Sequence, residues 1–168
     1  MIRIIGAVLI VLGAGSFGIA KTAQFYRRQR QLRAFLHALE ILRCELHYTL
    51  YPLPKLCRIT AERSERVCAE FLRTYADLLD GGSNRSVAAR EALSAVNIVL
   101  PPDAQAAILE LFSTLGRYDV DGEESLLQLT QRRLNAALER GETEKRPMVK
   151  GYAVLGICTG AAIAILLV

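Results

Sequence analysis

At 168 residues the chain has room for one domain, or one domain with anchors. Its net charge of +4 is too small to argue for nucleic acid, and no strand, zinc-finger or base-stacking pattern accompanies it. A hydrophobic content of 52% and a mean hydropathy of +0.24 are high for a chain with 23% charged residues, and the excess sits at the two ends.

Ile4 to Ala20 carries no charge and embeds Gly6, Gly13, Gly15 and Gly18. As a helix it covers about 26 Å, close to the thickness of bilayer hydrocarbon. Lys21 can snorkel, and Phe25 and Tyr26 suit the headgroup level. A cleaved secretory signal competes with this reading. Arg3 would be its basic start and Gly18-Ile19-Ala20 its cleavage site. The basic cluster Lys21, Arg27, Arg28, Arg30 and Arg33 favours an uncleaved span with the following segment kept in the cytoplasm.

Helix one is expected from about Arg27 to Leu50. Leu32, Phe35, Leu39, Leu42, Leu46 and Leu50 recur at steps of three and four and form one apolar stripe. Tyr51-Pro52-Leu53-Pro54 ends it, because proline cannot continue a helix. Pro54 opens a second helix expected to carry Leu56, Ile59, Val67, Phe71, Tyr75 and Leu78 in one run. Asp80-Gly-Gly-Ser-Asn84 reads as a turn, and a short helix follows from about Ser86 to Asn97, with Val87, Ala88, Leu93 and Val96 apolar. Pro101-Pro102-Asp103 starts the next helix, with proline in its first turn and an acid at its positive end. It carries Ile108, Leu109, Leu111, Phe112 and Leu115, and fades at Gly116. Asp121 with Glu124 resembles a capping box opening a last helix lined by Leu127, Leu134 and Leu138.

Gly151 to Val168 is again charge-free and covers about 27 Å as a helix. Arg140, Lys145, Arg146 and Lys150 precede it. The expected layout is all-α: anchors over residues 1–23 and 149–168, and a cytoplasmic helical bundle over 24–148 between the two transmembrane helices. Ala14 with Gly18, and Gly156 with Gly160, are small pairs four residues apart, and small residues let membrane helices approach closely.

Chemistry is sparse. His37, Glu40, Cys44 and His47 are metal-ligand types, but their arc lies opposite the leucine stripe, so the solvent face explains them. Asp119-Val-Asp121-Gly-Glu123 starts like a calcium loop but has Glu124 and Thr130 where glycine and glutamate belong, which leaves a loop and a helix cap. Cys44, Cys57, Cys68 and Cys158 show no CxxC spacing; an oxidising compartment would allow two disulfides, but a helical domain of this size does not need them, so they read as buried free thiols. No phosphate loop, dinucleotide motif or nucleophile elbow occurs, so no catalytic residue, metal or cofactor is expected.

The turn after helix one offers a partner site. It stands about 36 Å from the start of that helix, and rigidly presented turns often carry recognition. Tyr48, Tyr51, Pro52 and Lys55 are the candidates. The competing reading is that Pro52 and Pro54 merely reverse the chain while Tyr48 and Leu53 pack inward. The next candidate surface is basic, around Arg58, Arg66 and Arg73.

Glu45-Leu-His-Tyr-Thr-Leu-Tyr-Pro-Leu53, Leu115-Gly-Arg-Tyr-Asp119 with its acidic loop, and the two-anchor layout resemble the stage III sporulation protein AB family along essentially the whole chain. A tryptophan expected of that pattern in the short third helix is missing. The resemblance implies a non-catalytic component of the mother-cell membrane complex that joins mother cell and forespore. Its helical domain would be similar to the cytoplasmic domains of the type II secretion F platform protein. Other stage III sporulation membrane proteins would be neighbours, and the ATPase-like stage III sporulation protein AA its cytoplasmic partner. A secreted helical binding module and a membrane enzyme with an unrecognised site are the competing classes, and the oligomeric state stays open.

If both apolar runs are retained spans, washing membranes with carbonate at high pH leaves the full-length chain in the pellet. Release into the supernatant would sink this reading.

Overall fold

A computed structural model describes residues 24–46, 51–117, 121–141 and 143. Among these the fold is all-α, with six helices: α1 (24–46), α2 (Leu53–Glu62), α3 (Arg66–Asp80), α4 (Arg85–Ala95), α5 (Pro102–Thr114) and α6 (121–141). The anchors over 1–23 and 149–168 lie outside the described residues. No helix among the described residues is long and apolar enough to cross a membrane. The chain divides into Met1–Arg27 with Arg140–Val168, and Arg28–Glu139. In the first unit the Phe25 and Tyr26 rings meet edge to face at 5.8 Å. The second unit holds α2 to α5 and most of α1 and α6.

Within the described residues the leucine stripe of α1 is buried as its spacing requires, and Leu50 lies outside them. Leu32, Phe35, Leu39 and Leu42 are each at most 2% exposed, and Leu46 is half-buried. At about 1.5–3 kcal/mol per large apolar side chain, this stripe alone outweighs any surface ion pair on the helix. Opposite it, His37, Glu40 and Cys44 are exposed, as the solvent-face reading expects, and His47 lies outside the described residues.

Gln31 interrupts the apolar face. It is 4% exposed, its Nε2 donates to the Asn97 carbonyl, and its Oε1 accepts the Val99 amide at 2.7 Å. Both ends of the side-chain amide are thus satisfied by the segment joining α4 to α5, which otherwise leaves backbone groups without helical partners.

The second helix expected as one run is two, and this corrects the sequence reading. The chain leaves α2 through Arg63 and Ser64, whose amides bond back to the Thr60 and Ala61 carbonyls, a tightened last turn. The Ser64 hydroxyl donates to the Thr60 carbonyl, and Glu65 is extended. The two helices fold back on each other, and Arg58 of α2 bridges Asp77 and Asp80 of α3 at 2.7 and 2.6 Å.

The turn after α3 behaves as expected. Ser83 and Gly82 donate to the Leu78 and Leu79 carbonyls, with Gly82 at φ +83°. That pairing closes a helix C-terminus and requires the left-handed region that glycine reaches without strain. Asn84 then caps α4 by accepting the Ser86 amide. Helix α4 turns Ala88, Ala89 and Ala92 inward and packs against α3 and α5. Val87, read as part of the apolar set, is exposed. Pro102 opens α5 with Asp103 in its first turn, as the sequence indicates. The expected pairing of Asp121 with Glu124 is replaced by another arrangement. Residue 121 is already helical, Glu124 accepts from Gln128, and the buried Glu123 accepts the Gly116 amide.

The centre of the core is aromatic. Phe71 meets Phe35 at 5.8 Å and Phe112 at 4.9 Å, and Tyr75 meets Phe112 at 5.1 Å, all near edge to face. The buried Tyr75 hydroxyl donates to the Phe112 carbonyl at 2.6 Å, and burial holds its pKa above the ordinary tyrosine value.

Cys57 and Cys68 are free and buried, as expected of the thiols, whereas Cys44 is exposed. Burial pushes both buried thiols from 9.0 to about 12. An acid whose pKa is raised by folding adds stability that is complete below its unfolded value and is lost as pH rises towards the folded one. Thermal unfolding followed by circular dichroism is therefore expected to show stability falling between pH 9 and pH 12. Cys57→Ala with Cys68→Ala should flatten that decline. An equally steep decline in the double variant would contradict the assignment.

Candidate docking surface

Pro52 is extended and exposed and leads into α2, where Leu53 and Pro54 form the first turn. Proline needs no amide partner there, and its fixed φ suits a helix start. Tyr51 is 41% exposed. The Lys55 ammonium lies over its ring, 3.9 Å from the centroid. Such a contact at an exposed site contributes about 0.5–1 kcal/mol and fixes where the charge stands.

The two sides of the turn differ in direction. Tyr51, Pro52 and Lys55 face outward, while Leu53 is half-buried and packs inward. Its Cδ2 lies 3.6 Å from where a Cβ at Gly116 would stand, and Arg85 Nη2 lies 3.5 Å from the same point. Gly116 sits at φ +82°, just past the end of α5, and its carbonyl accepts from Arg85 at 3.4 Å. The start of α2, the ends of α3 and α5 and the start of α4 therefore converge. Between them runs a groove of about 750 Å³, walled by Pro52, Leu53 and Pro54 and reaching Arg85 and Arg117.

Of the sequence-derived candidates, the structure thus brings Tyr51, Pro52 and Lys55 together. Tyr48 lies outside the described residues, as do Ala14, Gly18, Gly156 and Gly160. Arg85 and Arg117 were not among the candidates. Arg117 does fall in Leu115–Asp119, one of the two segments that carry the family resemblance, and Leu53 closes the other. Far apart in sequence, the two meet at Leu53 and Gly116. The alternative basic surface is largely committed: Arg58 to Asp77 and Asp80, Arg66 to Glu70. Among the described residues no three His, Cys, Asp or Glu side chains gather as a metal group.

The model of the family described as stage III sporulation protein AB matches residues 3–168. The chain belongs to that family. Stage III sporulation protein AB of Bacillus subtilis (strain 168) is 25% identical over 173 residues, covering 99% of each chain. A solved structure of stage III sporulation protein AB superimposes with a TM-score of 0.63 at 24% identity, over 71% of this chain and 96% of that one, a likeness of fold. Membership in the stage III sporulation protein AB family makes this a sporulation protein.

Ordinary contact distances at Gly116 leave room for a methyl group, so the penalty for a side chain there comes from its backbone. Gly116→Ala should cost about 1–2 kcal/mol in urea unfolding, the price of a left-handed non-glycine residue. A neutral result would mean that the turn relaxes to another conformation.

Proposed function

We propose that this chain is a non-catalytic platform component of the membrane complex joining mother cell and forespore during sporulation. In this reading, transmembrane helices over residues 1–23 and 149–168 hold the helical bundle of residues 24–148 at the cytoplasmic face of the mother-cell membrane. The bundle engages neighbouring stage III sporulation membrane proteins and an ATPase-like cytoplasmic partner, stage III sporulation protein AA. Ala14 with Gly18, and Gly156 with Gly160, pack the two spans together.

The observation that carries the docking role is the meeting of the two family segments at one surface. Leu53 and Gly116 form its floor, and Tyr51 and Lys55 stand exposed at its edge. An aromatic ring steadying a cation on a rigid turn loses little freedom when it binds, which suits a recognition point.

Replacing Tyr51 and Lys55 together by alanine tests this. The variant should lose at most about 1 kcal/mol of stability, since both side chains are exposed. Co-purification with the ATPase-like partner from sporulating cells should fall sharply. Retained co-purification with an unchanged melt would remove these side chains from the contact.

A further inference from the structure

The groove beside the docking turn has a one-sided charge. Arg85 and Arg117 line it, Lys55 follows its proline wall in sequence, and among the described residues no Asp or Glu lines it. Arg117 and Lys55 are exposed, and Arg85 is half-buried. Three neighbouring acids are engaged elsewhere, and Asp119, two residues after Arg117, lies outside the described residues. Asp77 and Asp80 at the end of α3 share Arg58, and Glu123 is 2% exposed and accepts the Gly116 amide from below. The remaining walls are apolar, from Leu53, Pro54 and Leu79, or neutral and polar, from the Asn84 amide and serine and threonine hydroxyls.

Resting on the platform reading, we infer that this groove seats an acidic segment of a partner protein. Guanidinium groups pair with carboxylates through two parallel hydrogen bonds. Arg85 is already orientated by its bond to the Gly116 carbonyl, so part of the ordering cost is met before binding. The exposed Arg117 in the groove, and the exposed Lys55 one residue beyond its proline wall, attract a negatively charged chain, and salt weakens that attraction. The proline wall presents no amide hydrogens from Pro52 or Pro54, so the segment is held by side-chain charge more than by backbone pairing.

The test uses the full-length chain in neutral detergent and a fluorescein-labelled oligoglutamate peptide, with binding read by anisotropy. The wild-type chain should bind the peptide, and rising salt should weaken binding. Arg117→Glu with Lys55→Glu should weaken it by roughly tenfold or more, while the melting temperature falls only by the little that losing the Lys55–Tyr51 contact costs. Arg73→Glu, a charge reversal on the exposed face of α3, should leave affinity unchanged. Unchanged affinity in the double reversal, or an equal loss in Arg73→Glu, overturns the inference. So does displacement of the peptide by glycerol 1-phosphate as effective as by unlabelled oligoglutamate, which would assign the groove to anionic lipid headgroups. The assay needs no native partner, so its failure is separable from a failure of the platform reading, which co-purification measures.

Discussion

The hydroxyl of Tyr75, donating to the carbonyl of Phe112, governs how the second half of the bundle is set. Each aromatic pair around it contributes about 0.5–1.5 kcal/mol beyond its buried area, and the hydrogen bond a similar net amount. In energy the bond is one contact among several. In geometry it is different, because ring packing tolerates sliding and a buried hydroxyl without a partner does not. Tyr75 therefore fixes α3 against α5. The alanine face of α4, projecting only methyl groups, packs against both. The ends of α3 and α5 and the start of α4 are then placed together, and the groove at Arg85 and Arg117 is the space they leave.

Much of this was legible in the sequence because helical periodicity is a strong signal where one face is buried. The α1 stripe, the glycine turn after α3 and the proline start of α5 could all be read directly. The break between α2 and α3 could not. Arg63-Ser64-Glu65 contains neither proline nor glycine, and Leu56 to Val67 spans about three full turns, so the apolar spacing runs on in phase. What ends the helix is a tightened last turn at Arg63 and Ser64 and a pairing of two helices, neither visible in a linear pattern.

The candidate surface was legible only in part. Tyr51, Pro52 and Lys55 follow from the logic of a turn at the end of a long helix. Arg85 and Arg117 belong to segments distant in sequence and become neighbours of that turn only through the packing of α4 and α5. Charge is readable from sequence, but pairing is not. Arg58 and Arg66 look as available as Arg117 until Asp77, Asp80 and Glu70 are found beside them.

The fork made by Gln31 has a different consequence. A stripe of leucines spaced by three and four is nearly self-similar under a slip of one turn, so hydrophobic burial alone discriminates weakly between registers of α1. The Gln31 amide finds its donor and its acceptor, Val99 and Asn97, in one register only. Any slip would leave the amide buried without partners, at about 1–3 kcal/mol for each lost group. Gln31 thus acts as an index pin, adding little to net stability while selecting one alignment from several that the leucines would accept.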